Sequence, residues 1–395
     1  MEEDLKRHVK KIGEKTGEPD WLTEIKLKAA HEYARLPEPS PRLGLHINRP
    51  TDRGNWAKLP THQRDLRWTG TGEVLVQPLT DAAKTNEKEV RKLLYSEAAY
   101  TAGRYEALHS ALVSRGLYVD VPDGVGGVKI IIDDVLSEGA SYDHLLVHVG
   151  KNSSATIVNR RLSEGLGSAY HSEGAELFLE DGANLTYAPV QAYGAGVRHY
   201  ETRCAVVGKN ARLNLVTSDA GGSLAQVESR TRLSRQGGQV NIMGLLFGGL
   251  EQTIDVNVSV LHEAANTESN ILLRNVLADK AKAIVRGLIN VAENAPSSVG
   301  YQKEDTLLLS PTTEASVIPN LEINNNDVRC THASSITHID DEKLFYLKSR
   351  GIHPEEGRKL IIEGFIEPIM KALPEDTTRA TLSEHILLQA THKPQ

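Results

Sequence analysis

Cys330 and His332 are the residues of this sequence best placed to do chemistry together. They stand in Val328-Arg329-Cys330-Thr331-His332, which reads as a strand. Positions i and i+2 of a strand direct their side chains to one face. A thiolate beside an imidazole suits a soft or borderline metal such as iron or zinc. Two ligands from one chain are too few to hold a cluster, so the rest must come from a second chain, from sulfide or from a small thiol. The competing reading is packing, with the cysteine as a small hydrophobe and the histidine bonded to a backbone carbonyl. The residues alone leave both open. Cys204, followed by Ala205-Val206-Val207, reads as a core cysteine, and His338 as a surface or loop residue. His144, His148, His171 and His262 carry no spacing signal.

Other reactive arrangements are missing from the sequence. Gly150-Lys151 and Gly208-Lys209 are each followed by Asn rather than Ser or Thr, and the upstream glycine of a phosphate loop is absent. ATP chemistry would therefore belong to a partner. There is no GxSxG elbow, no HExxH and no zinc-spaced Cys/His set. Asp340-Asp341-Glu342 reads as a helix cap rather than a catalytic group. The expectation is a chain that is not an enzyme.

These residues must be positioned by a chain of 395 residues, long enough for two or three domains or for one repeat body with appendages. The net charge of −7 argues against nucleic-acid binding, which needs a basic stripe. Aromatics are only 5%, so Val, Ile, Leu and Ala must build the core, as suits thin layered repeats. Two cysteines give no disulfide framework and fit a reducing compartment. The charged start Met1-Glu2-Glu3-Asp4-Leu5-Lys6 lacks the apolar stretch of a signal peptide. No run approaches the roughly 18 apolar residues of a membrane helix. A cytoplasmic location without membrane contact is expected.

Residues 1–36 read as helical, with a start at Pro19-Asp20 and a stop at Pro37 and Pro39. Residues 38–80 read as irregular, and a helix is expected from Asn86 to Arg115, divided by Gly103. From Gly116 to about residue 335 the chain is a series of short alternating strands. Gly150-Lys151-Asn152, Gly182-Ala183-Asn184, Gly208-Lys209-Asn210 and Gly237-Gly238-Gln239 each lead into one, at uneven steps. That loose repeat points to a solenoid, with an ordinary β-sandwich as the alternative. Helices return after Asp340. Asp340 or Asp341 caps Glu342–Ser349, with Gly351 as its left-handed stop. A second helix opens at Pro354, is kinked or restarted at Pro368, and a last short one runs from Ser383 to Thr391.

The segments Pro319-Asn320-Leu321-Glu322-Ile323, Asp327 to His332 and Asp341-Glu342-Lys343-Leu344-Phe345-Tyr346-Leu347-Lys348-Ser349-Arg350-Gly351-Ile352 resemble the C-terminal signature of the SufB/SufD family of iron–sulfur cluster assembly. Trp21 to Ala29 and Ala107 to Val125 are similar to its N-terminal helix and its entry into the β body. The resemblance implies a mainly β fold, a right-handed parallel β-helix flanked by α-helical domains, over 1–116, 117–338 and 339–395. It implies a SufC-type ABC ATPase gripped by the C-terminal helices, with Phe345, Tyr346, Arg350 and Gly351 as candidate contacts. It also implies pairing with a SufB-type chain, or with a second copy, that brings ligands to a shared interface. Cys330-Thr331-His332-Ala333-Ser334-Ser335 resembles the Cys-Ser-His-Gly-Ala-Thr of the SufD branch, and Leu307 to Glu314 holds no SufB-like cysteine. His332 and Cys330 thereby become candidate ligands of a transient iron–sulfur cluster or of iron. An assembly chaperone without metal contact and a β-helix carbohydrate lyase are the rival functions. The missing signal peptide and the acidic balance count against the lyase.

Overall fold

Each coil of the β region turns at a corner residue in the left-handed backbone conformation. Gly124, Asn152, Gly182, Asn210, Gly237, Asn266 and Ser297 occupy these corners with φ between 53° and 75°. Glycine adopts this conformation freely, and asparagine tolerates it better than most residues. The corners stack: the Asn152 N–H donates to the Asp181 carbonyl, Gly182 to Lys209 and Asn210 to Gln236. The equivalent positions are Asn152, Gly182, Asn210 and Gly237, the third residue of two of the sequence triplets and the first of the other two. Aligned on these corners, the repeat is more even than the triplets suggest.

The computed structural model describes residues 2–38, 42–43, 47–48, 66–136, 138–163, 168–339 and 341–391. Consecutive strands from Arg115 to His338 alternate between two sheets of nine strands each. Each strand pairs in parallel with the next but one. The shortest coil leads from Arg198 to its register partner Leu224, and the longest from Lys282 to Glu314. This is a parallel β-solenoid, and the sandwich alternative falls. Its first coils are closed by two antiparallel strands, Arg67–Thr71 on Val128–Leu136 and Leu75–Pro78 on Arg115–Val121. These strands lie where the sequence reads as irregular. The last strands, Glu314–Ile323 and Val328–His338, end their sheets, with no further strand on their outer edges among the described residues.

Alternation along each strand sends Val, Ile, Leu and Ala into the lumen, from Leu117 to Leu308. Helices cover part of the outer face of each sheet. On the first sheet α1 (Glu2–Thr16), α2 (Asp20–Arg35), α3 (Leu79–Thr85), α4 (Glu87–Leu93) and α5 (Arg104–Leu112) pack against Tyr118, Tyr142, Tyr170 and Tyr200. On the second, α7 (Pro354–Ala372) and α8 (Asp376–Thr391) set Ile362, Ile366, Ile369, Leu382 and Ile386 on Val158, Val216, Leu245 and Phe247. The helix α6 (Asp341–Ser349) precedes them.

Several helix bounds differ from expectation. The stretch from Asn86 to Arg115, expected as a helix divided by Gly103, is α4 and α5, with Gly103 directly before α5; residues 94–98 between them form a loop bound to the sheet, and strand pairing already begins at Arg115. Helix α7 continues through Pro368, held by the apolar face that Ile366 and Ile369 bury, and α8 begins at Asp376 rather than Ser383. Gly351 has the expected left-handed φ of 87°. Asp340 and most of the stretch from residue 39 to 65 lie outside the described residues.

Two buried ionic contacts dock the N-terminal helices. The Glu176 carboxylate, fully buried on the first sheet, accepts the N–H groups of Tyr95 (2.7 Å), Glu97 (2.9 Å) and Ala98 (3.0 Å). Lys26, 1% exposed, donates to Glu18 and to the Val113 carbonyl at 2.6 Å. Removing one partner of a buried pair strands the other's charge, at a cost of about 3–5 kcal/mol, whereas an apolar replacement of both is far milder. Glu18→Ala should therefore lower the melting temperature markedly, and Glu18→Ala with Lys26→Met should recover most of the loss; calorimetry of the two variants checks this.

Candidate functional site

The strand Val328–His338 carries Cys330 and His332 and forms the last rung of the second sheet. Its register sets Cys330 on Gly300, His332 on Gln302 and Ser334 on Glu304. Cys330 is half-buried against the end of the lumen core. A Cβ added to Gly300 would lie 3.2 Å from its Sγ, so the glycine leaves room for the thiol. Burial raises the Cys330 thiol above its ordinary value. His332 is exposed on the same strand. The two therefore stand at the uncovered end of the solenoid, with donor groups next to a dry wall on one side and open space on the other. Cys204 is instead buried on the outer face of the first sheet, 3.7 Å from an Arg230 nitrogen, and burial pushes its thiol up to about 12.

Phe345 and Tyr346 of α6 are among the most exposed apolar side chains, at 74% and 57%. The Arg350 guanidinium lies 5.2 Å from the centre of the Tyr346 ring. Leu344 and Leu347 lie beside Gly357 of α7, 3.5 and 3.3 Å from where its Cβ would be, which turns the two aromatics outward.

A second polar site was missed by sequence reasoning. It fills one side of the lumen in the first coils, where Ser141, Asp143, His171, Glu173, His199, Glu201 and Arg203 all point inward and are buried. Oxygens of Asp134 and Asp143 and a nitrogen of His171 lie within 4.8 Å of one another, a grouping that could coordinate a metal ion. Cationic groups already lie on these oxygens. Arg115 Nη2 donates to Asp134 at 2.8 Å and to Asp143 at 2.7 Å, and Arg161 Nη1 lies 3.3 Å from Asp143. His171 donates from Nε2 to Asp143 at 2.9 Å, while its Nδ1 is 2.8 Å from the Tyr193 hydroxyl. Further along, Arg203 bridges Glu201 and Asp219. The legible signal is like residues one coil apart: His171 pairs with His199 and Glu173 with Glu201. It emerges only once the coil length is known.

The comparisons with known proteins bear on this frame. A sequence model described as "SUF system FeS cluster assembly, SufBD core domain" matches residues 131–365, more than half of the chain. The chain belongs to the SufBD family. An iron–sulfur cluster assembly SufBD family protein of Staphylococcus saprophyticus is 27% identical to it over 305 residues, which cover 75% of this chain and 64% of that protein. One from Staphylococcus epidermidis is 26% identical over 310 residues, covering 76% and 66%. One from Staphylococcus haemolyticus is 23% identical over 425 residues, covering 95% and 90%. The chain thus spans about two thirds of the length of the first two relatives. The SufBD match takes in the strand of Cys330 and His332, α6 and the start of α7, as well as the polar lumen. Among the described residues no helix is long and apolar enough to cross a membrane.

Burial holds the His171 and His262 rings neutral, with pKa values pushed down to about 4. In the unfolded chain both take up a proton below about pH 6.5. The unfolded state therefore binds more protons between about pH 6.5 and 4, so each ring's contribution to stability is lost as pH falls through that window. His262 is the cleaner test, because among the described residues only the Thr267 and Ser269 hydroxyls, each at 2.8 Å, bind its nitrogens. His262→Gln should lose less stability than the unmodified chain between about pH 7 and 4.5 in a melting-temperature series.

Proposed function

We propose that this chain is a SufD-like scaffold subunit of a cytoplasmic SUF-type complex, which pairs with a SufB-type chain and a SufC-type ATPase to build or accept iron–sulfur clusters. The observation that carries the proposal is the placement of Cys330 and His332 on the last, uncovered strand of a SufBD solenoid. Iron or a nascent cluster is the cargo of this site and not a resident cofactor. A thiol and an imidazole supply part of its ligand set, and a second chain seated on the open end supplies the rest. A second copy of this chain could take that seat, which would make the scaffold a homodimer.

ATP enters only through the ATPase, since the sequence offers no phosphate loop. Helix α6 is the contact we assign to that partner. Phe345 and Tyr346 are large, exposed and adjacent to Arg350, the combination of aromatic and arginine side chains that dominates interface energetics. Gly351 ends α6 and so sets where these side chains stand. ATP-driven movement of the two C-terminal domains would then open and close the paired solenoid ends over the cargo.

Two measurements test the reading. In the complex reconstituted with SufB-type and ATPase partners under anaerobic conditions, His332→Ala and Cys330→Ala should reduce iron loading and cluster yield. Unchanged loading in both would remove the ligand role and leave an assembly chaperone. Truncation after Thr337, or Phe345→Ala with Tyr346→Ala, should weaken ATPase capture by tenfold or more, from a loss above about 1 kcal/mol at each anchor residue. Retained capture by the truncated chain would rule out the docking site.

A further inference from the structure

Between α5 and the outer face of the first sheet the packing leaves a cavity of about 50 Å³, with Glu106 and His109 above it and Ser172, Thr202, Gln226 and Glu228 below. Such a volume admits an ion with a water or two and is too small for an organic ligand. Alternation and register assemble the floor. Ala225 and Val227 of the strand Leu224–Leu233 face the lumen, so Gln226 and Glu228 face outward on the same side. Their Cα atoms stand about 7 Å apart along the strand, so two side chains of this length can meet around one ion. Thr202 is the register partner of Glu228. Glu106 comes from the first turn of α5, and its carboxylate folds back over Gly103 into space that an added Cβ there would take.

The lining is rich in oxygen and short of positive charge. Among the described residues no Lys or Arg lines the cavity. Glu228 Oε1 accepts from Asn257 Nδ2 at 2.7 Å, and among the described residues no hydrogen bond reaches its other oxygen. The Glu106 carboxylate has neither a hydrogen bond nor an ion pair among the described residues. Gln226 is only 4% exposed; its Nε2 lies 3.5 Å from Asp255 Oδ2, and its Oε1 has no hydrogen-bond partner among the described residues. A buried oxygen left unpaired costs stability. Arg286 and Arg230 act on Glu228 through their charge but are turned to other groups, Arg286 to Asp255 at 2.5 Å and Arg230 to the Glu97 carbonyl at 3.4 Å. Burial, with repulsion from Glu106 added, raises the Glu228 carboxyl above its ordinary value.

His109 brings no charge to the cavity either. Glu176, which accepts the N–H groups of Tyr95, Glu97 and Ala98, also accepts from His144 Nε2 at 3.0 Å. His144 Nδ1 is 3.2 Å from His109 Nε2, and His109 Nδ1 is 2.9 Å from the Ser172 hydroxyl. With Glu176 as the acceptor at one end, the protons run one way: His144 donates to Glu176, His109 to His144 and Ser172 to His109. Burial holds the His109 ring neutral. Both its nitrogens are spent, and the Ser172 oxygen is left with lone pairs alone. Gly174 makes room for this relay, since an added Cβ would stand 2.6 Å from His109 Nε2.

We infer that this cavity is a binding site for a hard divalent cation of the calcium, magnesium or manganese class, held by Gln226 Oε1 and by the Glu228 and Glu106 carboxylates, with water completing its shell. Carboxylate, amide and water oxygens without sulfur or nitrogen select this class of ion. The ion neutralises two carboxylates that repel each other and gives the Gln226 oxygen its partner. It also fastens α5 to the solenoid, because Glu106 belongs to the helix and the other two ligands to the sheet. The site lies on the outer face of the first sheet, away from Cys330 and His332 on the last strand of the second, and stands independently of the function proposed above.

The test is a titration of Mn²⁺ onto the metal-free, full-length chain, followed by the electron paramagnetic resonance of the free ion, with Ca²⁺ as competitor. The unmodified chain should bind Mn²⁺ and release it to Ca²⁺. Glu228→Gln keeps the size of the side chain and an acceptor for Asn257; it should weaken binding at least tenfold, as should Glu106→Gln. No binding at millimolar Mn²⁺, or binding unaltered in Glu228→Gln, would overturn the assignment. A measurement on the unmodified chain guards against misfolding of the variants. In crystals soaked in Mn²⁺, anomalous diffraction should place the ion among Gln226, Glu228 and Glu106, and a map with anomalous density only elsewhere, as at Asp134, Asp143 and His171, would equally overturn it.

Discussion

A stack of parallel coils has two ends, and each end leaves a row of backbone N–H and C=O groups without the next strand. Such an edge pairs with whatever strand reaches it unless it is covered. In this chain the first end is covered from within, by Arg67–Thr71 and Leu75–Pro78, whose antiparallel course closes the ladder. The other end stops at Glu314–Ile323 and Val328–His338, with Ile323 and Ile336 exposed beside backbone that no further described strand covers. The proposed function depends on this asymmetry. Cys330 and His332 are presented because, among the described residues, no further coil lies on them.

The lumen is not uniform along its length. One side of the early coils holds stacked acids with arginines between them, the middle coils carry uncharged polar groups such as His262, Ser269 and Asn275 among apolar ones, and a carboxyl group returns at Glu304. Arg115 and Arg161 on Asp134 and Asp143 make the early cluster self-neutralising. A buried ionic network of this kind is weak evidence for stability but is costly to break, so it constrains which sequences can build these coils. Glu304 differs from it: among the described residues no arginine lies on its carboxylate.

How much of this was legible in the sequence follows from the range of each signal. Alternation in strands and the glycine and asparagine corners are local, so the β region and its repeat were readable. The strand of Cys330 and His332, and Gly351 as a helix stop, were readable for the same reason. The strands at Arg67 and Leu75 were not, because α3, α4 and α5 intervene between them and their partner strands around Ile132 and Val119. The loop at 94–98 read as helix because its apolar residues keep a helical spacing, and what overrides that spacing is Glu176, a residue on a distant strand. His171 read as isolated for a similar reason. Its neighbours Asp143 and His199 stand one coil before it and one coil after it. Glu304 was equally silent, since only the register under Ser334 and the missing side chain at Gly287 distinguish it from a surface glutamate.

The central claim is that the last coil is completed by another chain. Amide hydrogen exchange across Glu314–Ile323 and Val328–His338, measured with and without a SufB-type partner, tests it most directly. Strands at a bare edge should exchange quickly in the free chain and be protected on pairing, while the early coils stay unchanged. Partner binding that leaves the exchange of Val328–His338 unaltered would contradict the account.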